Sequence, residues 1–389
     1  MKPAKVLILI DRLGRGGVAQ VAMNVALSLN RDKFEPIICT TRDKPRNGQD
    51  ILLREAGIQL VELNRQTRAQ LFSWKPLLEL LPDIAILHAH SSGSNFWGRL
   101  WGTLYHVPVI VTQEHTAVAE KSRPKQWLDR GLTPLSDKII TVSDYDRQEY
   151  IRRENLPPDK VETVYVGIDM NRFSAAMSQS EARRQIGCPA NKWVVGVIAR
   201  LAPQKNHKGF LQALALLPPG LRANMHCLLV GSGALQADLT REARQLGLAE
   251  QISFLGERQD VPVILRALDL LALPSYWECL PSVISEAMAA ECPIVATAVG
   301  GVPEMIGDTG WPLVPPGNVP ALAEAMTAVW QAPPAERRQK TAVARQRVQR
   351  FFSREASVAH LERLYGDLLR AKTPQSDQTL VKPGFDETI

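Results

Sequence analysis

Two carboxylates with seven residues between them, Glu278 and Glu286, stand in Tyr276-Trp277-Glu278-Cys279-Leu280-Pro281-Ser282-Val283-Ile284-Ser285-Glu286. They follow the apolar run Leu268-Asp269-Leu270-Leu271-Ala272-Leu273, which reads as a buried parallel strand. Pro281 suits the first position of a following helix, where its missing N–H costs nothing. One carboxylate then lies in the strand-to-helix turn and the other about a turn into the helix. Between them the helix start offers free N–H groups and a positive dipole end, suited to a phosphate. Carboxylates flanking an anion site suit a ligand that carries both hydroxyls and phosphate. A sugar nucleotide is such a ligand.

A second set of chemistry-bearing residues follows another strand. Val197-Ile198-Ala199 runs into Arg200, and Lys205 comes five positions later. Two cations at the carboxyl end of a strand can neutralise a diphosphate and its leaving charge. The alternative is a pair of solvated loop cations. Glycine turns close the neighbouring strands: Gly231-Ser232-Gly233, Gly256-Glu257-Arg258 and Gly300-Gly301-Val302-Pro303-Glu304. Gly14-Arg15-Gly16-Gly17 lies between the first strand and a helix, where backbone N–H groups can approach a phosphate or sugar. It lacks the full spacing of a dinucleotide fingerprint, which argues against nicotinamide binding.

In the first half, Gln113-Glu114-His115 closes a strand, so that a His or Glu there faces a cleft. A lone histidine is as readily structural. His88-Ala89-His90 also ends a strand, but no third ligand is in sight and a metal site is not expected. Asp144-Tyr145-Asp146 precedes a helical stretch, where capping and the macrodipole explain its acidity. Lys121 to Arg130 mixes cations with Trp127. It either touches an anionic membrane or lipid-linked acceptor, or forms a solvated loop with one packed tryptophan. The short run, broken by Pro124, favours the loop. Phe96, Trp97 and Trp101 fit one helix face and read as core.

The elements that must position these residues alternate. Candidate strands span 6–11, 34–40, 59–63, 85–90, 107–112, 138–142 and 161–165, then 193–199, 226–231, 251–255, 268–273 and 293–298, with helical patterns between them. Such alternation implies an α/β protein of parallel sheets covered by helices on both faces. It pauses over residues 171–189, read as an irregular interdomain connection. Residues 1–170 then form one Rossmann-like doubly wound domain and residues 190–353 another, with a cleft between their strand ends. A helix over 354–370, carrying Val358, Leu361, Leu364, Tyr365 and Leu368 on one stripe, is expected to pack back on the first domain. Residues 373–389 read as a polar tail.

At 389 residues the chain is long enough for two cores. Hydrophobic residues make up 45% and charged residues 22%, which excludes a disordered chain. The five cysteines are scattered and have no metal-site spacing, as expected of a reduced cytoplasmic protein. No apolar stretch is long enough to span a bilayer. The net charge of +6 is not gathered into a stripe or a recognisable module, so nucleic acid is not an expected partner.

Taken together, these residues resemble the family-four retaining glycosyltransferases of the GT-B fold, from about Val6 to Leu369. Glu278 and Glu286 match that family's paired glutamates, and Arg200 and Lys205 match its diphosphate-binding pair. Gly16-Gly17 match its first glycine loop, and His115 matches the histidine near its reacting centre. Val166-Gly167-Ile168-Asp169 and Arg172-Phe173 look like its hinge motif. The resemblance implies that Glu278 and His115 orient the donor sugar and that Glu286 holds the ribose. It also implies that Leu280, Pro281, Ser282 and Val283 meet the phosphates, with Gly231 nearby, and that Arg258 contacts the base. Two departures stand out: Cys279 replaces a usual glycine, and Val166 a usual asparagine. The implied activity is transfer of a hexose from a UDP- or GDP-sugar to a glycan or lipid-linked acceptor in cell-envelope synthesis. No metal or cofactor is expected, and contact with a membrane surface stays open. So do a nucleotide-sugar 2-epimerase and a non-catalytic nucleotide-sugar-binding subunit.

Overall fold

The computed structural model of the chain describes residues 2–14, 17–42, 48–67, 70, 72–116, 121–173 and 177–372. The first sheet is built from β1 (Ala4–Ile10), β2 (Phe34–Arg42), β3 (Gln59–Arg65), β4 (Ile86–His90), β5 (Val109–Gln113), β6 (Lys138–Thr141) and β7 (Val161–Thr163). Their spatial order is β3-β2-β1-β4-β5-β6-β7, and every pairing is parallel. The second sheet comprises β8 (Trp193–Ile198), β9 (Met225–Val230), β10 (Ile252–Gly256), β11 (Leu270–Leu273), β12 (Ile294–Thr297) and β13 (Leu313–Val314). It is ordered β10-β9-β8-β11-β12-β13, again all parallel. These are the two doubly wound domains the alternation implies. Among the described strands the sequence reading missed β13, whose two residues are too few to show a period.

Continuous apolar strands arise because both faces are covered. In β1, Val6, Ile8 and Ile10 enter one core, and Leu7 and Leu9 enter the core on the opposite face. Each such burial stabilises the fold by about 1.5–3 kcal/mol. Strand order also decides where ligands can enter. From β1 the chain winds outward to β2 and β3, then returns to lay β4 on the other side of β1. The second sheet repeats the move, with β8, β9 and β10 on one side and β11 on the other. The helices after neighbouring strands therefore diverge at β1/β4 and at β8/β11, leaving a crevice at each carboxyl end.

The chain passes between the domains and returns side by side. Ile168 N–H donates to Phe352 O at 2.9 Å, and Arg354 N–H to Ile168 O at 2.8 Å. The helix Arg354–Lys372 then lays Val358, Leu361, Leu364 and Tyr365 into the first domain's core. The stretch expected as an irregular connection differs. It holds a helix, Gln179–Gln185, capped by Ser178, whose side chain accepts from Glu181 N–H. Phe173 and Cys188 belong to the second core, Ala182 is buried, and Arg183 pairs with Asp269. This helix shows few apolar residues, so it gives little periodic signal. Residues 373–389 lie outside the described residues. No described helix is long and apolar enough to cross a membrane.

Candidate functional site

The crevice of the second sheet is where the expected charges meet. Lys205 follows β8 and Glu278 follows β11, the two strands that flank it. Lys205 Nζ lies 2.6 Å from Glu278 Oε1, and the Glu278 side chain is only 6% exposed. Ser275 Oγ donates to the same oxygen at 2.6 Å. The Thr297 hydroxyl holds the Ser275 carbonyl at 2.6 Å. The two loops are tied further: Tyr276 N–H donates to Gln204 O, and Gln204 Nε2 to Trp277 O, each at 2.8 Å. A lysine bound to one carboxylate keeps two more N–H groups to offer an anion. Arg200, exposed at the start of the same loop after β8, adds a second cation to this rim.

Pro281 occupies the N-cap rather than the first helical position, and the helix spans Ser282–Ala289. The shift by one residue follows from its extended φ/ψ, −74° and 108°. The first N–H groups of such a helix have no intrahelical acceptor. Exposed Ser282 and half-buried Leu280 and Val283 surround them. Glu286 sits in the second turn. Burial pushes its carboxyl above the usual range, partly offset by Arg172 from the crossing segment.

Backbone contacts explain two of the glycines. Gly231 has φ +135°, and a Cβ there would meet Ala199 O at 2.1 Å. Gly300 has φ +53°, and a Cβ would meet Glu278 O at 1.8 Å. The Gly300-Gly301 turn is thus a socket for the backbone of Glu278 and Cys279, and Gly301 N–H donates to Cys279 O at 2.8 Å. Arg258 lies beyond β10 at the sheet's far edge, its guanidinium held by both oxygens of Asp260 at 2.8 and 2.5 Å. Gly17 opens the helix after β1; Gly16 lies outside the described residues.

In the first domain His115 follows β5. Its Nε2 is 3.1 Å from His90 Nδ1, and the two rings stack. The His90 ring in turn lies tilted against that of His88, 4.1 Å between centres, and His88 Nδ1 is 2.6 Å from the Tyr365 hydroxyl of the returning helix. Burial holds all three imidazoles neutral, lowering His88 to about 3, His115 to about 4 and His90 well below its usual value. His90 therefore positions His115, a role that the sequence reading missed. The signal is present: His88 and His90 share one face of β4, and β4 pairs with β5 so that His90 faces Gln113.

Two expectations nearby are corrected. Glu114 does not face the cleft. It is buried and joins a cluster in which Lys121 also contacts Asp129 at 2.7 Å and Glu154 at 3.3 Å. Arg99 reaches Asp129 from the helix Ser92–Leu104. The segment after Lys121 is a helix, Arg123–Leu132, and its Trp127 is 77% exposed rather than packed. Trp97 and Trp101 stack on each other and pack at tilted angles against the buried Trp74 at the edge of the core, as their helical spacing suggested, whereas Phe96 is half-buried on the wall of a cavity in the first domain.

Asp144-Tyr145-Asp146 is a helix start, with Ser143 as its cap accepting from Asp146 N–H. Among the described residues, no group of three or more His, Cys, Asp or Glu could hold a metal ion. That helix start is instead where the domains touch. The Glu304 carboxylate accepts from the N–H groups of Asp144 and Tyr145 at 2.9 and 3.2 Å, and from the Tyr165 hydroxyl at 2.9 Å. Burial raises the Asp146 carboxyl to about 6, against hydrogen bonds from Ser143 and from the Cys279 thiol. Cys279, where the resembling family has glycine, thus reaches across the domain junction.

Residues 15–172 match the family described as Glycosyltransferase Family 4, and residues 178–346 match Glycosyl transferases group 1. The chain is 29% identical over 225 residues to the UDP-Gal:alpha-D-GlcNAc-diphosphoundecaprenol alpha-1,3-galactosyltransferase of Escherichia coli. That match covers 56% of this chain and 58% of the galactosyltransferase, somewhat over half its length. A D-inositol 3-phosphate glycosyltransferase of Corynebacterium aurimucosum is 27% identical over 396 residues, covering 92% of this chain and 93% of that protein. Among solved structures, Anabaena HepE in complex with UDP superposes with a TM-score of 0.82 at 22% identity, over 93% of this chain and 100% of that one. The two parallel-sheet domains are those of the GT-B fold, and the chain belongs to glycosyltransferase family four.

Proposed function

We propose that this chain is a retaining, metal-independent hexosyltransferase of the cytoplasm. It moves a sugar from a nucleotide diphosphate sugar to a glycan or lipid-linked acceptor in cell-envelope glycan or glycolipid synthesis. The observation that carries the reading is the Lys205–Glu278 pair at 2.6 Å, set in the β8/β11 crevice beside a helix N-terminus. Diphosphate binding draws Lys205 and Arg200 toward the phosphates and leaves Glu278 to accept from sugar hydroxyls. Glu286 then takes the ribose hydroxyls, and Arg258 lies toward the base. In the transfer, an acceptor oxygen forms a bond to the anomeric carbon as the bond from that carbon to the diphosphate oxygen breaks. The acceptor proton passes to the departing diphosphate, which allows attack on the face it leaves. The two cations stabilise the charge that develops there.

The donor named for the Escherichia coli relative and the UDP bound to HepE support a uracil base. The relative's diphosphoundecaprenol acceptor supports a lipid-linked one. Peripheral membrane contact is supported by Trp127 and Leu128, 77% and 50% exposed on a helix that also carries exposed Arg123 and Arg130. Calorimetric titration with UDP, GDP and their sugars tests the reading. We expect UDP to bind wild type and to bind Lys205→Met at least tenfold more weakly. Failure of every nucleotide to bind sinks the proposal. Conversion of a UDP-sugar without an acceptor replaces it with an epimerase.

A further inference from the structure

The second sheet has another cavity at its opposite end, where the strands begin. Its volume is about 460 Å³, and it lies against Asp269, just before β11, and Pro293, just before β12. Three arginines line it. Arg266 comes from the helix Val261–Ala267, and Arg337 and Arg338 come from the start of the helix Pro334–Phe351. On that longer helix Pro334, Arg337, Arg338 and Thr341 share one face, and that face lines the cavity. A helix start is the positive end of its dipole, so cations there add to the charge instead of offsetting it.

The carboxylates on the wall do not neutralise these arginines, because each has a different partner. Asp269 accepts from Arg183 Nη2 at 2.5 Å, from Val194 N–H at 2.7 Å and from Gln179 Nε2 at 3.1 Å. Glu291 lies 3.6 Å from Arg345. Neither Arg183 nor Arg345 lines the cavity. Among the described residues no carboxylate pairs with Arg266, Arg337 or Arg338. Arg266 spends its Nε on Met177 O at 2.9 Å, and Arg337 spends Nη1 on Val329 O at 3.4 Å. The remaining N–H groups of both, and the whole Arg338 guanidinium, stay free for an anion.

The charge and the volume narrow the class of ligand. Guanidinium forks match phosphoryl oxygens two at a time. One phosphate ester brings up to about two negative charges, too few for three cations. The volume is that of a small-molecule site and exceeds what bare phosphates fill. Leu265, Leu268 and Pro293 give the rest of the ligand an apolar wall. The helix Ser282–Ala289 starts at the donor crevice and ends beside this wall, at Ala290, about 12 Å away. We propose that this cavity is a second ligand site, which takes a small organic molecule carrying two phosphoryl groups, and that its occupation is felt at the donor crevice through that helix.

The test is calorimetry on the full chain with fructose 1,6-bisphosphate, with inorganic phosphate and fructose as controls. We expect the bisphosphate to bind wild type at least tenfold more tightly than either control. Lys205→Met, in the donor crevice, should bind it as wild type does, whereas Arg337→Gln/Arg338→Gln should bind it at least tenfold more weakly. The opposite pattern places the bisphosphate in the donor crevice and overturns the proposal, as does equal binding of all three probes. Arg338→Glu separates a ligand site from a structural role. It sets a carboxylate at the helix start, so it should raise the melting temperature of the ligand-free protein while weakening the bisphosphate. Arg338→Glu that binds the bisphosphate as wild type does also overturns the proposal. For the coupling, saturating bisphosphate should raise the UDP affinity of wild type at least threefold and leave that of Arg337→Gln/Arg338→Gln unchanged. If the two proteins respond alike, the coupling falls. If UDP does not bind wild type, the transferase reading fails while the arginine-dependent binding is still decided by the other arms.

Discussion

The two sheets repeat one winding pattern, and each opens a crevice where it reverses, yet the crevices are built differently. At β8/β11 Lys205 and Glu278 form a single ion pair whose loops are tied together by backbone bonds. Few groups stand behind it: Ser275, Thr297 and the Gly300-Gly301 turn. At β1/β4 the cavity draws on five separated stretches of chain. Behind the neighbouring β5 end lies a buried network of Lys121, Arg99, Glu114, Asp129 and Glu154. On the proposed reading the donor-side crevice spends its charges on a ligand, whereas much of the first domain's buried charge holds the protein together. A lysine close to a carboxylate therefore has opposite meanings in the two halves.

The largest test of that contrast is Lys121→Met. Burial lowers the Lys121 pKa, but Glu114, Asp129 and Glu154 together raise it further, so the ammonium is firmly charged. Its removal leaves three carboxylates buried and should cost about 3–5 kcal/mol in urea unfolding. Lys205→Met should do the reverse. Turnover of the donor should fall on the order of 10²–10³-fold, with a much smaller change in the unfolding midpoint. If Lys205→Met unfolds the protein as readily as Lys121→Met, the contrast is wrong.

Gly300→Ala probes the socket that holds Glu278. The added Cβ meets a carbonyl oxygen in a left-handed backbone, so we expect a loss of roughly 2–3 kcal/mol together with weakened UDP binding.

Acid should expose the first domain's histidines. Above pH 6.5 these imidazoles are neutral in both states. Below it the unfolded chain takes protons that folded His88, His90 and His115 refuse, so stability is lost as pH falls toward about 4. Asp146 and Glu154, raised to about 6 and about 7, act the other way, since the folded protein binds their protons more readily. The net loss expected between pH 6.5 and 4 is on the order of 2 kcal/mol by thermal melting. His90→Gln should flatten that slope.

The smallest effect belongs to the junction between the halves. Glu304→Gln keeps its acceptor oxygen but removes the charge facing the helix N-terminus at Asp144. A loss of about 1 kcal/mol in melting is expected, and a few-fold change in apparent UDP affinity would show that the junction is coupled to donor binding.

Much of the fold was legible because both sheets are buried on two faces. The central strands, such as β1, β8 and β11, are continuous apolar runs, and the alternation with helices admits little but parallel sheets. The residues proposed for the donor stood out for a related reason: Arg200, Lys205 and Glu278 lie in short loops directly after such strands, and Glu286 lies in the helix that follows one of them. What sequence order could not show was which loops become neighbours. Strand order placed the β8 and β11 loops side by side and brought Lys205 to Glu278 across more than seventy residues of chain. The same reversal gathered Asp11, Arg42, Arg65 and Lys125 around one cavity, although each looks like an isolated surface charge in the sequence. Burial decided the rest. It turned Lys121 inward among carboxylates, left Trp127 facing out, and stacked His90 under His115. A side chain's type limits the chemistry it can do, but its surroundings decide whether that chemistry serves a ligand or the fold.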